Sequence, residues 1–522
     1  MKFIKGQNRN QISIFPVSLD ASIDQDHEVR IIDLFVDSLD ISEVGFKIDF
    51  IENGRPAYHP QDLLKLYIYG YLNKMRSSRD LEKECKRNIE VIWLLKGLTP
   101  DHNTISNFRR DNPKAIKKVF RATVQIAKNF NLIGGKLLAG DSTKLRAQNS
   151  KKNNFNQKKI ERHLSYIQDK LNEYETQLAS ADEDKRNLIK DEIQKHKNRK
   201  EDYQRLQKQL KDTNQKQIST SDPQSRQMIT RNNITEIAYN IQSTVDAENN
   251  IPIDFKVTNT NDSKAMGNML QRAKTILKSN QFTTLYDKGY HTGSEFKIAD
   301  NLDIDVLVAI PTVAANAPNH DYNVEYFSYN KEGDFYICPK GEKLKTTGTW
   351  HIARTYKFRR YTTKQCLDCK VKNQCSKAKY GKAIQRSEYQ KYINRNKERI
   401  EQNKDYYRRR QAIVEHPYGT IKRQWGFSYI ITKKYINRAQ ADVGLMFTAY
   451  NLRRIINIIG FNSLQEYLKQ QLLLFLTFIG IIRLHLSIFK PLKITNYFNP
   501  VFIKDPLKWL IFSHLLIKYG GF

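Results

Sequence analysis

Apolar residues recur at helical spacing behind Pro60, where Leu63, Leu64, Tyr67, Ile68, Tyr71 and Leu72 form one face and the proline suits a first helical turn. Ser77 with Asp80 makes an imperfect capping box before a second segment over Leu81 to Arg87. A third starts at Thr99-Pro100-Asp101, with Asp101 placed to cap it, and ends at Asn112-Pro113. Its Ile105 and Phe108 face inward, leaving Asn103, Ser106, Asn107, Arg109 and Arg110 outward. Such a trio suits either a helix-turn-helix whose basic last helix enters a major groove, or a plain helical bundle with a solvated basic face. This all-α region is predicted to span residues 1–135.

From Lys136 the pattern turns to strands. Leu137-Leu138-Ala139 closes on Gly140-Asp141, and a polar break follows over Ala147 to Asn156. Ile160, Leu164, Ile167, Leu171, Tyr174 and Leu178 then alternate by four and three. After a break at Ala179 to Glu183 the face resumes with Leu188, Ile189, Ile193, Tyr203, Leu206 and Leu210. That predicts an antiparallel, coiled-coil-like hairpin inserted over residues 155–215, serving dimerisation, DNA contact or structure alone. Thr235 to Val245 and Ile251 to Thr258 flank a turn at Asp246-Ala247-Glu248-Asn249-Asn250. Asn261-Asp262-Ser263 is placed to cap a helix through Met266, Leu270, Ala273 and Leu277. A strand over Phe282 to Tyr286, a helix over Gly293 to Asp300, a strand over Val306 to Ile310 and a late helix complete the order. It fits an α/β domain over residues 136–455 built on a ribonuclease-H-like mixed sheet, with a cysteine-bearing insertion at 325–395. The hydrophobic, basic tail at 456–522 fits packed helices, a membrane-adsorbing segment or sequence added by loss of a stop codon.

Charge changes the picture. The 522 residues hold 87 Lys and Arg against 55 acids, a net +32, which favours nucleic acid or an anionic membrane as partner. Part of that excess also follows from a Lys-, Asn- and Ile-heavy composition. Against this background three acids stand in conspicuous motifs: Asp141 and Asp287 each close an apolar run, and Glu415 lies on a helix-like stretch to Lys422. Phosphodiester cleavage needs an activated oxygen and a stabilised leaving oxygen, which two Mg²⁺ about 4 Å apart supply when carboxylates hold them. Asp141, Asp287 and Glu415 are therefore candidates for an α/β catalytic domain. Val414, Tyr418, Ile421 and Trp425 make a buried stripe, while Glu415 and Lys422, seven apart, lie nearly in line on the adjoining face. A simple surface pair would not explain Gly419 in mid-helix, which costs about 1 kcal/mol against Ala.

Cys338, Cys366, Cys369 and Cys375 supply the four thiols of a closed structural Zn²⁺ site, and the bland alternative is four free buried thiols. Trp350, Arg354, Tyr356, Lys357, Arg359, Arg360 and Tyr361 around them suit backbone contact and base stacking. Cys85 reads as core, Tyr290 as a packed tyrosine, and His291 and His416 as structural or substrate-positioning. Sparse, clustered cysteines fit a reducing compartment. The N-terminus lacks the apolar core of a signal peptide, and the longest apolar run, Leu472 to Ile482, is too short to span a bilayer. A cytoplasmic protein without a membrane partner is expected.

The chain resembles the DDE transposases of bacterial insertion sequences, specifically the 1182 group. The matching stretches are Val29-Arg30-Ile31-Ile32-Asp33, Asp101 to Ser106, Gly140-Asp141-Ser142-Thr143-Lys144, Asp222-Pro223-Gln224-Ser225-Arg226, Tyr239-Asn240-Ile241-Gln242, Asp287 to Gly293 and Val414 to Lys422. The resemblance covers roughly residues 10 to 460. It implies a helical N-terminal DNA-binding domain and metal-dependent cleavage and strand transfer at element ends. Asp141, Asp287 and Glu415 would hold two Mg²⁺, with Mn²⁺ able to substitute. Many members carry a Tyr-Arg-Glu-Lys signature with two, three and six residues intervening. Here Tyr407, Arg410, Glu415 and Lys422 are separated by two, four and six, and Gln411 stands where the Arg is expected. Lys422, Arg410 and Tyr407, with Arg109 and Arg110, are then the expected DNA contacts. A DNA transposase binding the terminal inverted repeats of its own element follows, at least dimeric when active and nucleoid-associated in a bacterial cytoplasm. The alternative is a catalytically inactive, transposase-derived DNA-binding repressor.

Overall fold

The computed structural model describes residues 18–48, 56–230, 233–311 and 317–488, so the last part of the tail, 489–522, lies outside the described residues. Side-chain caps start most of the N-terminal helices: α1 (Glu28–Asp37), α2 (Ile41–Val44), α3 (Pro60–Leu72), α4 (Ser78–Arg87), α5 (Ile89–Leu94) and α6 (His102–Asp111). Ser77 accepts from the Asp80 amide and Asp101 from those of Asn103 and Thr104, as the capping pattern predicts. Asn112-Pro113 ends α6 as expected and also opens the next helix. Pro113 takes the first turn of α7 (Pro113–Asn129), where its missing N–H costs nothing, and Ile116, Val119, Phe120 and Val124 are buried behind it.

β1 (Leu137–Arg146) leads to β2 (Asn154–Phe155), α8 (Gln157–Ser180), α9 (Glu183–Asp212) and β3 (Ile218–Ser219). The two helices form the expected antiparallel hairpin with β2 and β3 paired at its base. Ile160 with Leu210, and Ile167 with Leu171 and Ile193, make small cores between them. The chain then returns through β4 (Arg226–Ile229), β5 (Thr235–Asp246), β6 (Ile251–Thr258), α10 (Met266–Leu277), β7 (Thr283–Tyr286), α11 (Gly293–Asn301) and β8 (Asp305–Val308).

These strands form one six-stranded sheet in the order β4-β5-β1-β7-β8, with β6 also on β5. β1 is antiparallel to β5 and parallel to β7, which is parallel to β8. A separate five-stranded antiparallel sheet holds β9 (Ser328–Asn330), β10 (Phe335–Ile337), β11 (Lys343–Ile352), β12 (Lys357–Thr362) and, beyond the short α12 (Lys372–Cys375), β13 (Ile384–Ser387). α13 (Gln390–Gln402), α14 (Lys404–Gly419) and α15 (Ile436–Ile459) follow. The architecture is mixed α/β with many helices.

Two faces of the large sheet are covered differently. Ile413 and Val414 of α14 pack with Leu137, Ala139, Val245, Leu285 and Leu307. The other face joins the main core, where Phe255 meets Phe120 of α7 and Phe447 of α15. By contacts the chain divides into Met1–Lys469 and Gln470–Phe522, and α16 (Phe461–Ile488) begins in the first unit. No helix among the described residues is long and apolar enough to cross a membrane.

Candidate active site

The site forms where the parallel strands stop pairing. β1 and β7 share their last register pair at Ala139 and Leu285, and Asp141 and Asp287 each stand two residues beyond it. Asp141 is within β1 rather than at its end, because β5 continues to pair with β1 as far as Arg146. Gly140 is required by close approach: a Cβ there would lie 2.0 Å from the Tyr286 ring. Asp287 caps a short 3₁₀ turn, its Oδ1 accepting from the Gly289 amide at 2.9 Å. Oδ1 of Asp141 accepts from its neighbour's amide, Ser142, at 2.8 Å.

α14 reaches both acid-bearing segments. Arg410 Nη1 lies 3.6 Å from Oδ2 of Asp141, and the Tyr407 hydroxyl donates at 2.9 Å to the Tyr286 carbonyl, just before Asp287. Tyr418 bonds Ser243 Oγ at 2.7 Å and fixes the helix against β5. Pro417 lies inside α14, and the chain continues from Gly419 into a π-helical turn over Thr420–Gln424. From that turn Lys422 Nζ donates to Thr143 Oγ1 at 2.9 Å. Glu415 itself is exposed and accepts from Gln411 Nε2 at 2.9 Å. Gln411, at the position of the expected Arg, therefore holds the glutamate, while Arg410 faces the aspartate.

Burial pushes the Asp141 carboxyl up to about 6; Arg410 opposes the rise, and Asp287 and Asp262 add to it. Arg410 Nη1 is buried without a hydrogen-bond partner. Crowded carboxylates with one imperfectly paired cation, offering oxygen ligands alone, fit a hard divalent ion such as Mg²⁺. The side chains as they stand are not in ligating arrangement: no group of three or more His, Cys, Asp or Glu among the described residues is poised to hold a metal.

Asp262 is an acid that the pattern misassigns. Expected as a helix cap, it instead opens a 3₁₀ turn with its carboxylate directed at the sheet. Oδ1 accepts from Asn240 Nδ2 at 2.7 Å and Gln242 Nε2 at 2.6 Å, and Oδ2 from Lys144 Nζ at 3.0 Å. The signal for this was two amide side chains, Asn240 and Gln242, two apart on one face of β5.

Arg109 corrects the expected DNA contact on α6. It is buried, with Nη1 donating at 2.9 Å to the Tyr71 hydroxyl and the Arg76 carbonyl, and its guanidinium 5.0 Å from the Tyr67 ring centre. Arg110 is exposed and bridges Asp111 at 2.6 Å. His416 contacts the Tyr450 hydroxyl at 2.6 Å and His291 lies edge-on to Phe296. Tyr290 is buried and donates to Gln242 Oε1. Cys85 is buried in the helical region.

Cys338, Cys366, Cys369 and Cys375 all line one small cavity beside the five-stranded sheet. Cys338 Sγ accepts from the amides of Lys340 and Glu342 at 3.3 Å each. Burial raises the Cys366 and Cys375 thiols, and the other cysteines raise them further. Gly381, at φ +84°, allows the chain to close on Cys366, since a Cβ would stand 2.2 Å from that of the cysteine.

Residues 17–111 match the family described as Transposase domain (DUF772), and residues 337–456 match the family described as Transposase DDE domain. The first match covers α1 to α6; the second covers the four clustered cysteines and Glu415, while Asp141 and Asp287 lie outside both. No curated protein matches the chain. A solved structure described as a piggyBac transposase synaptic complex with hairpin DNA aligns over 91% of this chain and 87% of its own, at 10% identity. Its TM-score is 0.28, a likeness too low to carry an argument.

Proposed function

We propose, for a chain that carries the transposase domain and the transposase DDE domain of an insertion-sequence DDE transposase, that it binds the terminal inverted repeats of its own element and cuts and joins DNA there. The DDE domain implies use of a divalent metal. The observation that carries the site assignment is the convergence of α14 and its π turn on both strand acids. Arg410 faces Asp141, Tyr407 holds the residue before Asp287, and Lys422 holds Thr143 beside Asp141. Glu415 lies on the same helix, one turn from Gln411.

Asp141, Asp287 and Glu415 would hold two Mg²⁺, or Mn²⁺, after Glu415 leaves Gln411. When bound, the ions supply an activated attacking oxygen and a stabilised leaving oxygen. The protein's own part is positional. Arg410 and Lys422 would face the phosphates, and Tyr407 fixes the residue before Asp287. Strand order and direction support reading the large sheet as ribonuclease-H-like, within a catalytic domain over 136–455 preceded by a DNA-binding domain over 1–135. On α6 the exposed Arg110, with Asn103, Ser106 and Asn107, would contact the ends, without Arg109. Two ends must be paired, so the active complex is at least a dimer.

The four cysteines would hold one structural Zn²⁺ after their thiols turn into the shared cavity. Elemental analysis of purified protein should find about one zinc per chain, lost in Cys369→Ser; a metal-free wild type contradicts this.

The test of function uses duplex oligonucleotides of the element end. Mg²⁺ should liberate a 3′-hydroxyl at the boundary and chelator should prevent it. Asp141→Asn, Asp287→Asn and Glu415→Gln should each lose cleavage beyond the roughly 10–100-fold typical of an outer-shell change while retaining end binding. Specific binding without cutting in either metal supports the repressor instead.

A further inference from the structure

Asp262 connects the two strand acids. Its Oδ2 accepts from Lys144 Nζ, which also donates to Ser142 Oγ at 3.0 Å, next to Asp141 on β1. Its Oδ1 accepts from Gln242 Nε2, and Gln242 Oε1 accepts from the buried Tyr290 hydroxyl, three residues after Asp287. The amide of Gln242 is thereby fixed in one sense, nitrogen toward Asp262 and oxygen toward Tyr290. Asn240 Nδ2 adds a third donor. The carboxylate also lies near the metal-side turn: a Cβ at Gly289 would stand 3.1 Å from Asp287 Oδ1 and 3.7 Å from Asp262 Oδ2. Burial opposes its ionisation, but Lys144 and the donors from Asn240 and Ser142 outweigh it and hold the carboxyl below its usual range.

We propose that Asp262 is a positioning residue for metal binding, one ionised carboxylate that fixes the strand carrying Asp141 through Lys144 and Ser142, and the turn carrying Asp287 through Gln242 and Tyr290. Its two oxygens accept from three side-chain donors, and the experiment below separates this role from that of a metal ligand. The inference rests on Asp141 and Asp287 being metal-holding, as proposed above. Only a carboxylate serves here, since it accepts at every position and an amide would present an N–H₂ group to Lys144 or to the two side-chain amides. Outer-shell partners of this kind typically change metal affinity 10–100-fold when lost.

The experiment titrates Mn²⁺ into the full-length, DNA-free protein, followed by electron paramagnetic resonance, for wild type, Asp287→Ala, Asp262→Asn and Tyr290→Phe. Thermal midpoints are measured alongside. Wild type should bind Mn²⁺ in a manner lost in Asp287→Ala. Asp262→Asn should weaken that binding roughly 10–100-fold, and Tyr290→Phe, which leaves every charge in place, should weaken it in the same direction. Unchanged affinity in Asp262→Asn overturns the inference, whatever its thermal midpoint. Weakening in Asp262→Asn with none in Tyr290→Phe also overturns it, since Asp262 would then act by its charge alone or as a ligand. If wild type and Asp287→Ala bind alike, the metal reading of the site fails and this inference with it.

Discussion

Arg410 and Gln411 divide two tasks on adjacent positions of α14, one facing Asp141 at 3.6 Å and the other Glu415 at 2.9 Å. Arg410→Ala removes the cation that restrains the rise in the Asp141 carboxyl, so proton competition at that acid should increase. The sign follows from the causes of the rise to about 6: burial, Asp287 and Asp262 push the carboxyl up, and Arg410 holds it down. Below that pH Asp141 carries a proton that a metal ion must displace, so Mn²⁺ affinity of the DNA-free protein should fall by about tenfold per unit of pH and level off above it. In Arg410→Ala the break should move to higher pH; an unchanged break contradicts the contact. Arg109 and Arg110 give a second test. Arg109→Ala leaves the Tyr71 hydroxyl and the Arg76 carbonyl without their donor, and should cost roughly 1–3 kcal/mol of stability. Arg110→Ala should weaken end binding with the melting temperature unchanged. Sequence alone could not separate the two. Arginine reads as outward on an amphipathic helix, and the partners that bury Arg109 stand 33 and 38 residues away.

Elements were legible where one periodicity ran long enough. The β5–β6 hairpin, the α8–α9 hairpin and the helix at Pro60 follow from apolar spacing and turn residues alone. The five-stranded sheet did not, because β9 and β10 are three residues each and carry no readable period. Glycines mark where elements meet. Gly140→Ala forces a Cβ into the Tyr286 ring and should destabilise by about 1–3 kcal/mol, read as a lower urea midpoint. Gly419 has nothing within 4 Å of an added Cβ, so no packing explains it. Gly419→Ala should leave the free protein as stable or up to about 1 kcal/mol more so, while slowing cleavage under the proposal that this side faces DNA. Full cleavage by the variant would remove that side of the helix from the DNA path.

At the scale of the molecule, Asp442 of α15 ties the N-terminal helices to the later part of the chain. It is fully buried, accepts from Tyr71, lies 3.4 Å from Arg76, and its Oδ2 accepts from the Ile431 amide at 2.8 Å. The change of pattern near residue 135 is therefore a change of element type, across which side chains share one core. The elements that carry the three candidate acids were legible, since β1, β7 and α14 are local features. Asp262 was not, because its role depends on strand register that pairs Gln242 with Ser142 and Asn240 with Lys144. A net charge of +32 predicts that end binding weakens steeply with salt. The most direct measurement is cleavage of a supercoiled plasmid carrying the element's own ends in Mg²⁺, comparing wild type with Asp287→Ala. Cuts at the element boundary by wild type and none by the variant are the predicted result. Boundary cuts by both proteins would contradict the assigned site, and specific binding without cuts by wild type would contradict the transposase reading itself.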